Sequence, residues 1–124
     1  MVRIIVAGGR RFNDYDYLRY MMDELIDGIY DTVEIISGHA KGADSLGERY
    51  ANERGLKLSV FKADWKQYGK AAGIIRNQQM LDYAKEEFPI VAAFWDGESR
   101  GTKDMIERSR RAGANVMVFR YDQK

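Results

Sequence analysis

The sequence predicts an α/β domain of three layers, α/β/α, with helices covering both faces of a five-stranded parallel sheet of order 3-2-1-4-5. Five short apolar runs alternate with helical patterns along the chain, and such alternation is satisfied by parallel strands joined by crossover helices. The first and fourth runs are apolar at successive positions, as strands buried on both faces are. Four of the runs end in polar, glycine-bearing loops. In a parallel sheet those loops emerge together at the carboxyl edge, where open α/β folds bind ligands.

The strands are read as Val2 to Ala7, Val33 to Ile36, Leu56 to Phe61, Ile90 to Trp95 and Asn115 to Arg120, because each is short, rich in β-branched or aromatic residues and bounded by turn signals. Between the first two, Leu18, Met22, Leu25 and Ile29 follow helical spacing, with Asn13 as the cap and Asp16 in the first turn. The second helix turns Ala43, Leu46, Tyr50 and Ala51 inward and ends near Gly55. Leu81, Ala84 and Phe88 mark a third helix, terminated by Pro89. Met105, Ile106, Ser109 and Ala112 mark a fourth that ends at Gly113. The order is the Rossmann-like one, so the crevice opens between strands 1 and 4, walled by Gly8 to Arg11 and Asp96 to Thr102.

A chain of 124 residues makes one domain, 1–124, large enough to fold without staples. With 45% hydrophobic and 31% charged residues and one proline, the composition is that of a globular protein. The longest strongly apolar stretch, Ile90 to Trp95, is far too short to span a membrane, and a cytoplasmic location is expected. The absence of cysteine excludes disulfides and thiolate chemistry, and a single histidine, His39, argues against a zinc site. Twenty basic against 19 acidic residues leave +1, without the long-range field of a nucleic-acid binder. Arg108, Arg110 and Arg111 alternate with acids and read as a solvated helix face.

The loops carry the chemistry. Gly8 and Gly9 let backbone amides approach a phosphate, with Arg10 beside them; neither the G-x-G-x-x-G fingerprint nor a P-loop is present. Ser37, Gly38, His39, Ala40, Lys41, Gly42, Ala43 and Asp44 combine small residues with a helix start whose amides suit an anion. Asp44 reads equally as a helix cap or as an acceptor for a sugar, and His39 as a loop donor or bystander, since no partner is identifiable. From Asp64 a long polar loop carries Trp65 and Tyr68, then Arg76 and Asn77. Trp65 either stacks a base or plugs the loop onto the domain; Arg76 can hold a phosphate and Asn77 a base edge or ribose. Gly97, Gly101 and Thr102 close the set, with Thr102 capping the last helix or donating to the same phosphate.

These blocks, namely Gly8-Gly9-Arg10 with Phe12 and Asp14, Ser37 through Asp44, Ala63-Asp64-Trp65 with Gly69 through Gly73 and Arg76-Asn77-x-x-Met80, and Gly101-Thr102-x-Asp104-Met105, resemble the YspA-type branch of the SLOG superfamily. The resemblance covers nearly the whole chain. It implies a Rossmann-like nucleotide-binding domain of bacteria and their phages, related to the LOG phosphoribohydrolases and more distantly to the DNA-processing protein DprA. LOG enzymes carry P-G-G-x-G-T-x-x-E, whose glutamate acts in N-glycosidic cleavage. That position here is Met105, and Asp104 lies one residue early, rotated by roughly 100° on a helix.

The leading expectation is therefore binding of a nucleotide or nucleotide-derived ligand, as sensor or regulator, with no further cofactor. A phosphoribohydrolase using Asp64, Asp104 or Glu98 with Arg76 is the alternative, and DprA-like nucleic-acid binding a weaker one. The LOG resemblance, together with Tyr17, Tyr20, Met21 and Tyr30, suggests a homodimer through helix faces; covering a small monomer's core is the other reading of those residues.

Overall fold

The computed structural model describes residues 1–121. Five strands, β1 (Val2–Gly8), β2 (Val33–Ser37), β3 (Lys57–Val60), β4 (Phe88–Trp95) and β5 (Asn115–Arg120), form one sheet of order β3-β2-β1-β4-β5. Every pairing is parallel, and the register aligns Ile4 with Ile35 on one side and with Ile90 on the other. The order and direction are those expected.

Alternation along β1 divides the core. Ile4 and Val6 join Ile35, Ala92 and Phe94 under α1 (Tyr15–Asp27) and α2 (Ala43–Arg54). Ile5 and Ala7 join Ile36, Val91 and Ala93 under the other pair, α4 (Ala72–Ala84) and α5 (Arg100–Arg111). Successive side chains of a strand point to opposite faces, so a central strand without polar interruptions builds two cores at once.

The helix ends differ in detail from the expectations. The α1 cap is Asp14, not Asn13: its carboxylate accepts from the Tyr17 amide at 3.1 Å, the three-residue reach a capping side chain needs. Ile29 lies beyond that helix. Gly55 takes the left-handed conformation that closes α2, as expected. The segment from Asp64 to Asn77 is helical rather than an open loop: α3 (Trp65–Tyr68), a 3-10 turn at Gly69–Ala71, and then α4. Asp64 caps α3 by accepting from the Gln67 amide at 3.1 Å, and α4 runs on beneath the sheet with Asn77, Met80, Leu81 and Ala84 buried. That helix ends at Ala84. Phe88 and Pro89 begin β4, where Pro89 precedes the pairing with β5 and costs no ladder bond on that side.

Candidate functional site

At the carboxyl edge, where β1 and β4 part, a cleft of about 550 Å³ opens. It is built from four segments, and each is held by a specific device. Gly8 ends β1 where a Cβ would lie 2.6 Å from the Ala43 Cβ and would overlap the Phe94 carbonyl oxygen. Glycine is what allows β1 to pass between α2 and β4. Gly42, at φ 81°, turns the chain into α2 with its Cα 's open side against the Arg10 backbone, 2.7 Å from where a Cβ would sit.

The carbonyl oxygen of Gly9 accepts from the amides of Phe12 and Ala43, both at 3.2 Å. The first loop thereby caps α2, and the Ala43 amide, expected to face an anion, is spent on protein. Asp44 is not the cap either. Its Oδ2 accepts from the Ala40 amide at 3.2 Å and folds the loop back on itself. Burial pushes the Asp44 carboxyl up to about 6; the Ala40 amide, Arg76 and Arg10 oppose that rise and Glu48 adds to it. The site thus contains a carboxylate that titrates near neutrality.

Arg76, on α4, donates through Nη1 to the Gly38 carbonyl and through Nε to Asn77 Oδ1 at 3.3 Å. Asn77 is 6% exposed and reaches the opposite wall, where Nδ2 donates to Asp104 Oδ2 at 3.0 Å and to the Gly101 carbonyl at 3.3 Å. Arg108 also grips Asp104, with Nη2 to Oδ1 at 2.9 Å. Burial acts to raise the Asp104 carboxyl, but the bonds from Arg108 and Asn77 outweigh it and leave it below its ordinary value. Arg108 therefore belongs to the packing of α4 on α5 and not to a wholly solvated face; Arg110 and Arg111 are exposed.

The α5 end is organised by Asp96 and Ser99. Asp96 Oδ1 accepts from the amides of Glu98 at 2.8 Å and Ser99 at 2.9 Å, which hold its carboxyl below the usual range. Ser99, rather than Thr102, is the cap of α5, accepting from the Thr102 amide; the Thr102 hydroxyl lies 3.0 Å from Ser99 Oγ. The amides of Arg100 and Gly101 have no acceptor within the helix, as the first-turn amides of any helix. A Cβ on Gly101 would meet nothing within 4 Å.

Of the residues singled out in the sequence, Gly8, Gly9, Arg10, Ala40, Asp44, Trp65, Arg76, Asn77, Gly101, Thr102 and Asp104 line this cleft. Gly38 lines an adjoining lobe. Ser37, Gly42, Asp64 and Gly97 do not line the cleft and shape the loops around it instead. Gly97, at φ 88°, receives the Arg120 guanidinium where a Cβ would be, and Ser37 Oγ donates to Glu48 Oε2 at 2.7 Å. Trp65 is 50% exposed and lines both spaces, so it does not plug the core. Arg11 and Arg100 fall in the two walls expected of the crevice, whereas sequence reasoning missed Lys70 as a lining cation and Met80 and Met105 as apolar floor. It also missed the partner of His39, whose Nδ1 lies 2.9 Å from Glu48 Oε2; nine residues along the chain, across a loop and into a helix, no periodic spacing announces that pair. Among the described residues no cluster of three or more histidines and acids is placed to hold a metal ion, and no helix is long and apolar enough to cross a membrane.

The model of the YspA, cpYpsA-related SLOG family matches residues 2–68. The chain is 30% identical over 125 residues to the Gene 61 protein of Mycobacterium phage D29, covering 96% of this chain and 97% of that protein. It is 28% identical over 94 residues, 76% of its length, to Jacalin-related lectin 40 of Arabidopsis thaliana, of which it spans 19%. Among solved structures, DNA processing protein A (DprA) from Streptococcus pneumoniae is similar with a TM-score of 0.52 at 17% identity, over 94% of this chain and 58% of that one; the likeness is one of fold, and the chain spans little more than half of that protein. Together with the order of glycine loops around the cleft, the matches establish that the chain belongs to the YspA, cpYpsA-related SLOG family.

Proposed function

We propose that the chain binds a nucleotide or nucleotide-derived ligand in this cleft and acts as a sensor or regulator. One observation carries the reading: Gly8 and Gly9, Arg10, Trp65, Arg76 and the first turn of α5, drawn from three separate connections between strands, face a single space of about 550 Å³. That volume lies within the range of small-molecule sites, roughly 300–1,000 Å³. The half-exposed Trp65 ring offers a face to a base. The Arg100 and Gly101 amides and the Arg76 guanidinium are suited to a phosphate, and Met80 and Met105 give the apolar floor on which a base or sugar can rest.

Thermal melting against nucleoside mono-, di- and triphosphates, cyclic nucleotides, NAD and ADP-ribose tests the proposal. A ligand at ~100 times its dissociation constant adds about 2.7 kcal/mol, several degrees for a domain of this size. Arg76→Ala should weaken that ligand about ten- to a hundredfold, and Arg111→Ala, on an exposed position of α5, should leave it unchanged. No movement of the midpoint with any of these compounds, or equal losses at both arginines, would overturn the reading.

Nucleic acid suits the surface less well, because 20 basic and 19 acidic residues nearly cancel. We place the protein in the cytoplasm of a bacterium or phage-infected cell, as its phage relative suggests. We also propose a homodimer through the α1 side, where Tyr20 is 62% and Tyr30 98% exposed; light scattering that gives 14.3 kDa, the mass of one chain, would exclude it.

A further inference from the structure

The cleft continues into a second lobe of about 410 Å³, on the side of the loop between β2 and α2. Arg10, Ala40, Trp65 and Arg76 line both spaces and form the passage between them. Charge is divided unevenly across that passage. Asp44, Asp96 and Asp104 line the first space beside its cations. The second is lined by Arg10, Lys41, Lys62 and Arg76, together with His39, and no carboxylate is among its lining residues.

The carboxylates closest to this lobe in the chain are engaged with other groups: Asp64, next to Ala63, caps α3 by accepting from the Gln67 amide at 3.1 Å. Asp44 is turned to the Ala40 amide, and Glu48 Oε2 takes both the Ser37 hydroxyl and the His39 ring. The loop itself is held in a costly shape. His39 adopts φ 60°, a left-handed conformation rare for a residue with a Cβ, and its amide is tied to Ser37 Oγ at 3.0 Å. Arg76 is anchored to the Gly38 carbonyl, so its guanidinium is fixed at the passage while Lys41 and Lys62 stand at the outer wall. Asp44 acts on Arg10 and Arg76 from the first space, but with no carboxylate in the lining of the second, Lys41 and Lys62 add two positive charges beside those arginines, and the four repel one another unless an anion is supplied. Fixed guanidinium groups and mobile ammonium groups are the two kinds of cation that phosphate sites combine.

We infer that the second lobe is a subsite for a second phosphate group, so that the ligand is a nucleotide carrying two phosphates, one in each space. The inference rests on the proposed function and narrows its ligand class. Two chemistries supply a second phosphate: a 5′-diphosphate, in which the groups are contiguous, and a 3′,5′-bisphosphate, in which the sugar separates them. Both spaces filled by one molecule would use Arg10 and Arg76 twice, once from each side of the passage.

The experiment is titration calorimetry of the intact chain with the 5′-monophosphate, 5′-diphosphate and 3′,5′-bisphosphate of adenosine, guanosine, cytidine and uridine. The wild type is compared with Lys41→Ala/Lys62→Ala, whose two positions are exposed and whose folding is checked by melting. For at least one base, a second phosphate should tighten binding ten- to a hundredfold over the monophosphate. That gain should vanish in the double variant while the monophosphate affinity stays within about twofold. Whichever two-phosphate series shows the gain identifies the source. A monophosphate that binds with no gain from a second phosphate, or a gain that survives the double variant, overturns the second subsite and leaves the proposed function standing. Failure of all three series to bind also overturns the second subsite, and the melting screen with triphosphates, cyclic nucleotides, NAD and ADP-ribose then decides the proposed function separately.

Discussion

The side-chain amide of Asn77 donates to Asp104 Oδ2 at 3.0 Å and joins α4 to α5 across the floor of the cleft. With Arg108 on its other face, Asp104 is a structural anion, held ionised and occupied. A carboxylate that must stabilise an oxocarbenium-like centre or activate water has to be free to face the substrate. Met105, at the position of the LOG glutamate, is 1% exposed and has no such chemistry. No release of ribose 5-phosphate from AMP, GMP, CMP, UMP or IMP is therefore expected in a reducing-sugar assay, even at saturating enzyme. Release that Asp104→Asn abolishes while binding is retained would establish the phosphoribohydrolase instead.

Two glycines of the cleft should respond in opposite ways to the same methyl group. At Gly8 an added Cβ meets the Phe94 backbone and the Ala43 Cβ, neither of which can step aside. Gly8→Ala should cost about 1–3 kcal/mol, as overpacking does, seen as a lower melting midpoint. At Gly101 nothing lies within 4 Å, and alanine in the first turn of α5 should stabilise the fold by roughly 0.5 kcal/mol through helix propensity. Ligand affinity should nonetheless fall in Gly101→Ala, because the methyl group stands over the amides offered to the phosphate. A Gly101→Ala protein that binds as well as the parent would remove α5 from the site.

The sheet order and the place of the cleft were legible because they follow from strong, local signals: both-face apolar runs at β1 and β4, and glycine at each carboxyl end. Helix boundaries depended on weaker ones. Asn13 and Asp14 are both good caps, and only the reach to the Tyr17 amide chooses between them. The start of α4 was hidden because Asn77 occupies a position of its inward stripe and is satisfied by Asp104 and Gly101, partners from 24 to 27 residues away. A polar residue buried on distant partners looks, in sequence, like a loop. The uneven charge of the two lobes was equally invisible, since Lys41, Lys62 and Arg10 come from three different loops.

Glu34 provides a test of the sheet itself. Its side chain is fully buried on β2, where Arg3 Nε donates to Oε1 at 3.0 Å and the hydroxyls of Tyr83 and Ser59 donate to Oε2. Burial acts to raise its carboxyl, but these bonds and Lys57 prevail and hold it below the ordinary 4.5. A depressed carboxylate contributes stability above its unfolded value and loses it as pH falls through the folded one. Glu34→Gln should cost about 3 kcal/mol at neutral pH by leaving Arg3 without its counter-charge. In denaturant melts the gap between variant and parent should narrow below about pH 4. A gap that is constant with pH would mean the cost is one of packing alone.

Asp44 has the opposite sign. Its carboxyl, raised to about 6 by burial, favours the protonated native state: its contribution to stability is complete below the ordinary 3.8 and disappears as pH rises through about 6. Near pH 7 the cleft therefore holds a negative charge that competes for Arg76 and repels a phosphate. Protonation of Asp44 between about pH 7 and 5 should by itself tighten nucleotide binding by roughly fivefold, about 1 kcal/mol of relieved repulsion. Phosphate monoesters also titrate near 6, so the measurement is the difference between the parent and Asp44→Asn with the same ligand. Asparagine can still accept from the Ala40 amide and carries no charge. At pH 7 the variant should bind roughly fivefold tighter than the parent, and the two should converge near pH 5, with only the ligand's own titration left in the variant's profile. If binding instead weakens as pH falls and Asp44→Asn loses affinity at pH 7, the carboxylate is an acceptor for the sugar hydroxyls, and the phosphate lies farther from it than the shared lining of the cleft suggests.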